Sequence, residues 1–345
     1  MMSENRYARQ LALPEVGSAG QAKLAAARLL IVGAGGLGVP ALTYLVGAGI
    51  GHIRLVDNDR IAIHNLHRQV LFSEADQGEY KVDVAARKMA ALNSEVIVEP
   101  IAERLVSSNI EQLIGGCYCV IDAADNFTTT YLLSDTCQSL KRPLISASAA
   151  GMKGYMGVFC HPAPSYRALF PSPPDQGLSC TRDGVLGPVV AVLGALQAQA
   201  AIKLLLAEPS SSTLDPATLE SATRNPATPE PATLINIDLW TNHFSSIHFS
   251  NAIEPEVQAP IAVLKSDEIT PNDILIDVRN ADELHAPSLS RAQHIPLEEI
   301  AKRWGEIPHE TRVVLCCMSG RRAQIAAQAL AEQGFQKLAI LSLDE

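Results

Sequence analysis

Residues 28 to 38 constrain the fold of this chain more than any other stretch. Arg28-Leu29-Leu30-Ile31-Val32 is a short apolar run suited to a buried parallel strand, and the glycine-rich GAGGLG turn at 33–38 follows it directly. The turn opens an apolar segment that runs through Gly47, so the spacing predicts strand, phosphate-binding turn and helix in succession. Gly33, Gly35, Gly36 and Gly38 would let backbone N–H groups approach a phosphate closely, and a helix N-terminus adds about half a unit of positive charge. Ile53-Arg54-Leu55-Val56 predicts a second strand ending at Asp57, where a carboxylate can accept hydrogen bonds from ribose hydroxyls. Taken alone, the glycine motif fits any dinucleotide-binding fold and favours a nicotinamide or flavin enzyme. The acid, arginine and lysine that follow, in Asp57-Asn58-Asp59, Asn65-Leu66-His67-Arg68-Gln69 and Lys81, bear on what is done to the nucleotide.

The alternation continues downstream. A helical stretch from Lys81 to Leu92, strands at 96–98 and 118–121, a helix over 127–140 and a strand at 143–146 predict a parallel sheet with ligands at the carboxyl ends of its strands. The strand at 118–121 ends in Asp122-Ala123-Ala124-Asp125-Asn126. Residues 161–188 are proline-rich and read as a long irregular loop of the functional or mobile kind. Residues 207–233, where Pro-Ala-Thr recurs, hold too few large apolar groups to fold alone and read as a low-complexity insertion before the first domain's last strand, 234–239. A linker at 251–260 then separates residues 1–250 from a smaller α/β unit, 261–345, with strand candidates at 274–277, 313–316 and 338–341.

With 345 residues, 47% hydrophobic and 19% charged, the chain can bury two cores. A net charge of -10 argues against a nucleic-acid partner, because neutralising phosphates needs a concentrated basic surface. The polar start, Met1 to Arg6, carries no signal peptide. The uncharged stretches 29–53 and 184–202 are interrupted by glycines or by Pro188, Gln197 and Gln199, which favours buried segments over membrane spans and a cytoplasmic protein. The seven cysteines are then expected as reduced thiols, and Cys117, Cys119, Cys137 and Cys160 fall in patterns that suit core packing.

The second unit carries Cys317-Met318-Ser319-Gly320-Arg321-Arg322 between a strand and the helical run 323–330. A cysteine there sits in a cradle of backbone N–H groups above a helix N-terminus and beside an arginine, so the thiol is expected to be partly ionised and nucleophilic. The spacing from Cys317 to Arg322 is one residue shorter than in cysteine phosphatases, giving a tighter ring that suits a single sulfur. The loop resembles the rhodanese active-site loop, and Asp277-Val278-Arg279 with Ala292-Gln293-His294-Ile295-Pro296-Leu297 resembles the remainder of that pattern. This resemblance implies a persulfide carried on Cys317, with Cys316 a packed thiol.

Arg6-Tyr7-Ala8-Arg9-Gln10, the GAGGLG turn, Asn65–Gln69, Lys81, Asp122–Asn126 and Gly184-Val185-Leu186-Gly187-Pro188 closely resemble, in the same order, the family of E1-like activating enzymes. About residues 5–250 are covered, and the nearest likeness is to the adenylyltransferases that activate molybdopterin-synthase and thiamine sulfur carriers, a family in which fusion to a rhodanese domain occurs. The resemblance implies an α/β protein: a Rossmann-like adenylation domain with a mixed sheet, then a small α/β rhodanese-like domain. It implies that the C-terminal glycine carboxylate of a ubiquitin-like sulfur carrier ending in Gly-Gly attacks the α-phosphate of ATP, giving an acyl-adenylate and pyrophosphate. Sulfur from Cys317, loaded by a persulfide donor such as a cysteine desulfurase, would then give a thiocarboxylate.

By motif position Arg9, Arg68 and Lys81 would bind the phosphates, Asp57 the ribose, Asp125 a Mg2+ ion, with Asn65 supporting the phosphate loop and Asn126 beside it. In family members the counterpart of Arg9 reaches the partner subunit's site, which implies a homodimer. Cys180 matches the crossover-loop cysteine and would either attack the acyl-adenylate or only lie near its path, while Arg6 reads equally well as a surface residue. One departure concerns metal. Many relatives hold a structural zinc with two CxxC pairs, whereas Ser165 and Ala168 stand at the first pair and no cysteine lies between Cys180 and Cys316 for the second, so no zinc is expected. The chain also ends at Glu345, before the glycine-containing turn and final helix typical of rhodanese domains. Two other classes stay open: an NAD(P)-dependent oxidoreductase with an appended rhodanese-like module, in which these cations are incidental, and a non-catalytic docking scaffold.

Overall fold

The computed structural model describes residues 6–172, 184–207, 232–255, 261–284 and 290–343. Cys180, most of the 207–233 insertion and residues 256–260 of the expected linker lie outside the described residues.

Helices α1 (Ala8–Leu11) and α2 (Gly17–Ala26) precede strand β1 (Arg28–Val32). The last four residues of β1 are buried, as a central parallel strand covered on both faces requires. Then α3 (Gly38–Ala48), β2 (His52–Val56), α4 (Lys81–Leu92), β3 (Ile97–Ile101), α5 (Ile110–Ile114), β4 (Cys119–Asp122), α6 (Phe127–Ser139) and β5 (Leu144–Ala150) alternate. Their strands pair in parallel in the order β3-β2-β1-β4-β5. Beyond β5, the elements β6 (Lys153–Phe159), α7 (Tyr166–Leu169), α8 (Gly187–Ala207), β7 (Thr233–Asp238) and β8 (His243–His248) complete the unit, and β6, β7 and β8 extend the sheet antiparallel. The sheet is mixed, as the family resemblance implies.

The first unit's last strand is β8, not the expected 234–239 segment. Phe244 and Ile247 are separated by serines and flanked by histidines, and every residue of β8 is exposed, so no buried face marks it in sequence. The uncharged 184–202 stretch folds into α8, whose mean hydropathy of 1.9 and 21-residue length would suit a membrane span. More than half of its apolar window is buried instead, against α3, β5 and β6. With α3 and α4 it covers one sheet face through Leu42, Leu45, Val82, Met89, Leu193 and Leu204, while α5 and α6 cover the other through Ile110, Tyr131 and Leu133.

Ser165 caps α7 by accepting the Ala168 N–H at 3.2 Å, and its own N–H and hydroxyl both donate to the Glu254 carboxylate at 2.6 Å. The rings of Phe159 and Phe249 stack beside this tie at 5.1 Å between centroids. Charge-assisted hydrogen bonds and aromatic packing thus join two chain segments 89 residues apart.

The second unit is a five-stranded parallel sheet, ordered β11-β10-β12-β13-β9. Its elements are β9 (Ala262–Val263), β10 (Ile274–Asp277), β11 (Gln293–His294), α9 (Leu297–Arg303), β12 (Val313–Cys317), α10 (Arg321–Glu332) and β13 (Leu338–Ser342). The two-residue strands β9 and β11 are too short to show a sequence pattern. Val263 also joins the units: Ser107 N–H donates to its carbonyl at 3.0 Å, and its own N–H donates to Ser107 Oγ at 2.8 Å.

Candidate active site

Strand order reverses between β1 and β4, and a crevice opens there at the carboxyl ends of the strands. It holds a cavity of about 700 Å³ lined by Gly33, Gly35, Gly36, Asp57, Asn65, Arg68, Lys81, Asp125 and Asn126, all singled out by sequence. Gly38 lies behind the turn. A Cβ there would fall 1.8 Å from the Gly33 carbonyl oxygen, and one on Gly33, at φ +101°, would fall 2.5 Å from that of Ala123. Only glycine lets the turn fold flat against the end of β4.

Asp57 accepts the Ala34 N–H on Oδ2 and the Asp59 N–H on Oδ1, each at 2.7 Å, which fixes it at the mouth of the turn. Burial pushes its pKa up, and Lys81 and the backbone donors pull the other way. Lys81 is 3% exposed and starts α4, where a cation opposes the helix dipole. Its ammonium pairs with Asp59 at 2.6 Å, a carboxylate that is itself largely exposed. Arg68 donates to Asn65 Oδ1 at 3.0 Å, so Asn65 orients that guanidinium in the cavity wall. Gln69, 3% exposed, keeps a buried Oε1 with no partner among the described residues.

Asp122 lies beneath this site, fully buried, accepting from Ser146 Oγ at 2.8 Å and from Ala124 N–H at 3.2 Å. Burial pushes its pKa up to about 6. Because the folded value lies above the unfolded one, its contribution to stability is present below about pH 4 and lost as the pH rises through about 6, a cost of roughly 3 kcal/mol at neutral pH. Asp122→Asn is expected to raise the unfolding free energy of the first unit at pH 7.5, and that gain should shrink by about 2 kcal/mol at pH 4.5. Denaturant unfolding at both pH values checks this; an equal effect at the two would refute it.

In the second unit Cys317 ends β12 and is 1% exposed. Its sulfur accepts the Ala323 N–H at 3.4 Å from the first turn of α10. The expected partly ionised thiol is corrected here: burial pushes its pKa up, outweighing the N–H groups of Ala323, Arg322 and Gly320 and the Arg322 charge. Arg322 is engaged elsewhere, in a bidentate pair with Glu283 whose Nη2–Oε1 arm measures 2.7 Å. Behind the loop Arg279 is wholly buried, bound to Asp277 at 2.7 Å and to Met318 Sδ at 3.6 Å, and its carbonyl meets His294 Nε2 at 2.8 Å. The Asp277-Val278-Arg279 and His294 pattern is therefore a support for the Cys317 loop.

Asn126 has a second role as N-cap of α6, accepting the Thr129 N–H at 2.9 Å. Arg9 is exposed on α1 and is not brought to the cavity within one chain. Cys117, Cys119, Cys137, Cys160 and Cys316 are buried, as expected of packing thiols. The cavity wall also contains Arg104, Ser146, Ala147, Ser148, Ala149, Tyr155, Tyr166, Ser319 and Arg321, which sequence reasoning did not assign to this site. Arg104 and the β5 residues could have been found from the rule that parallel strands place their carboxyl ends at the ligand. Ser319 and Arg321 arrive from the other unit, and no local signal marks them.

Residues 7–256 match the ThiF family, and residues 262–343 match the rhodanese-like domain. The "Adenylyltransferase and sulfurtransferase MOCS3" of Culex quinquefasciatus is 35% identical over 357 residues, covering 94% of this chain and 82% of that protein. The "Sulfur carrier protein adenylyltransferase" of Thermus thermophilus is 45% identical over 210 residues, covering 59% of this chain and 78% of that one. Among solved structures, E. coli MccB with ATP superposes with a TM-score of 0.58 at 25% identity, covering 71% of this chain and 72% of the other. The chain thus belongs to the ThiF family, an E1-like adenylation unit followed by a rhodanese-like domain.

Proposed function

We propose that this enzyme adenylylates the C-terminal glycine carboxylate of a ubiquitin-like sulfur carrier ending in Gly-Gly and then converts it to a thiocarboxylate. The observation that carries this reading is a single cavity that joins the glycine turn, Arg68, Lys81 and Asp125 and has the Cys317 loop in its wall through Ser319 and Arg321. Hydride transfer has no use for that set of groups. The names of the relatives, adenylyltransferase and sulfurtransferase, agree with it. Residues 1–250 would perform the first reaction and residues 261–345 the second.

In the first step a carrier carboxylate oxygen attacks the α-phosphorus of ATP and the bond to pyrophosphate breaks. Arg68 and Lys81 offset the charge spread over the phosphate oxygens, and Asp57 takes the ribose. Asp125 fits Mg2+: it is an exposed carboxylate in the cavity wall with no hydrogen-bond or ion-pair partner among the described residues, whereas Asp57 and Asp59 are engaged. When bound, Mg2+ would neutralise phosphate charge. In the second step the terminal sulfur of a Cys317 persulfide attacks the acyl carbon and AMP leaves, linking carrier and Cys317 through a disulfide. A thiol then attacks the Cys317 sulfur and releases the thiocarboxylate; Cys180 would be that thiol, or an acyl acceptor before it. Arg9, exposed in one chain, would complete the site of a partner subunit in a homodimer. The persulfide donor would be a cysteine desulfurase or similar protein, the setting cytoplasmic, and the Ser165–Glu254 tie would replace zinc.

One experiment addresses catalysis and metal together. Protein stripped with a chelator and resupplied with Mg2+ alone is expected to exchange labelled pyrophosphate into ATP only when a carrier ending in Gly-Gly is present. Absence of carrier-dependent exchange would refute the adenylation reading, and a requirement for added zinc would refute the zinc-free reading.

A further inference from the structure

The second unit is anchored to the first through the same sheet that carries Cys317. Val263, in edge strand β9, packs among Leu105, Val106 and Ile110 of the first unit's core and is 5% exposed. Its N–H and carbonyl are both hydrogen-bonded to Ser107, and Lys265 Nζ pairs with Glu103 at 3.7 Å. β9 pairs with β13, and β13 with β12, which ends in Cys317. Two ladders of backbone hydrogen bonds therefore transmit this anchorage to the Cys317 loop.

The loop also has a seat of its own on the first unit. Gly320, at φ +74°, precedes α10, and a Cβ on it would lie 2.9 Å from Thr128 Oγ1 in the first turn of α6. Glycine lets the loop press against the helix that follows Asp125. Farther along α10, Gln328 Nε2 donates to the Pro171 carbonyl at 2.9 Å, so this helix is held at two places. Ser319, two residues from Cys317, is exposed and lines the same cavity as Asp125. Two residues span at most about 7 Å of chain, so the sulfur-bearing turn opens beside the adenylating groups of its own molecule.

We propose that each acyl-adenylate is consumed by Cys317 of the chain that made it, so that sulfur transfer runs within one polypeptide even where two copies associate. The inference rests on the reading of adenylation and sulfur transfer above. The terminal sulfur of the Cys317 persulfide anion bonds to the acyl carbon, the bond from that carbon to the phosphate oxygen breaks, and AMP leaves with the electron pair. The carrier is then joined to Cys317 through a disulfide, and a thiol opens it by forming a disulfide with Cys317 and releasing the thiocarboxylate. To serve a neighbouring copy, the second unit would have to leave the Val263, Gly320 and Gln328 contacts. A group held in the same molecule acts at an effective concentration of roughly millimolar or more, which shortens the time an acyl-adenylate is exposed to water.

The test combines two complementary variants, Asp125→Ala and Cys317→Ser, co-expressed with different affinity tags and purified through both, or mixed in equal amounts where the chain is monomeric. Each is first checked for the half reaction it keeps: a persulfide on Cys317 from thiosulfate, with sulfite released, in Asp125→Ala, and carrier-dependent ATP–pyrophosphate exchange in Cys317→Ser. A ubiquitin-fold carrier protein ending in Gly-Gly is then added with Mg·ATP and no reducing thiol. Mass spectrometry counts the carrier that has received sulfur, free or still linked to Cys317. The combined variants are expected to fall at least about tenfold below wild type, because no chain holds both groups. A yield of about half the wild-type value in the doubly tagged assembly, where one of two adenylating sites would be served across the subunits, would overturn the inference alone. Comparable product from monomers mixed in solution would overturn it as well. A wild-type chain that transfers no sulfur to the carrier would overturn the parent reading and this inference with it.

Discussion

Asp125→Ala is expected to lower carrier-dependent ATP–pyrophosphate exchange by roughly 10²- to 10³-fold, the scale seen when one preorganised electrostatic partner of a reacting centre is removed. The argument is one of position and availability. Asp125 follows β4 at the switch point, is exposed to the cavity and has no partner among the described residues. Its two carboxylate neighbours are engaged, Asp57 by two backbone N–H groups and Asp59 by Lys81. Because no internal contact is lost, unfolding free energy should change by less than about 0.5 kcal/mol. Asp125→Asn keeps the shape and removes the charge, so it should be nearly as inactive as Asp125→Ala. Exchange within threefold of wild type in either variant would remove Asp125 from the proposed site.

Cys317→Ser should show the opposite split. Exchange should stay near wild type, while thiocarboxylate formation from a persulfide donor, with no free sulfide present, should fall by roughly 10³-fold or more because the sulfur carrier itself is gone. Serine suits this test. The cysteine is 1% exposed and its sulfur accepts the Ala323 N–H, which a hydroxyl oxygen also can, so the loop keeps its shape. Mass analysis of the carrier distinguishes a terminal carboxylate from a thiocarboxylate. Wild-type thiocarboxylate yield in Cys317→Ser would show that sulfur reaches the acyl-adenylate by another route. Since burial holds the Cys317 pKa up, persulfide loading should accelerate as pH rises through the alkaline range, as thiolate becomes available.

The elements that were legible in sequence share one property: their signal is local. The strand at 28–32, the helix at 81–92 and the strand at 274–277 coincide with β1, α4 and β10, because central parallel strands and amphipathic helices write their burial into the sequence. β8, β9 and β11 escaped notice because they are exposed or only two residues long, and partners elsewhere in the sheet hold them. The 184–202 stretch was legible as buried but not as a helix, since an all-apolar run carries no period.

What the sequence by itself determined was the chemistry present: a phosphate turn of glycines, acids and cations at fixed distances beyond it, and a cysteine before a helix in a loop sized for one sulfur. What only the tertiary structure decided was which charges remain available and which meet. Burial raised the Cys317 and Asp122 pKa values, Glu283 took up Arg322, and Asp59 took up Lys81. Docking of α10 on α6 then brought Ser319 and Arg321 into the wall of the cavity. Desolvation and pairing depend on neighbours far apart in the chain, so the character of each ionisable group is settled only when the two units close around it.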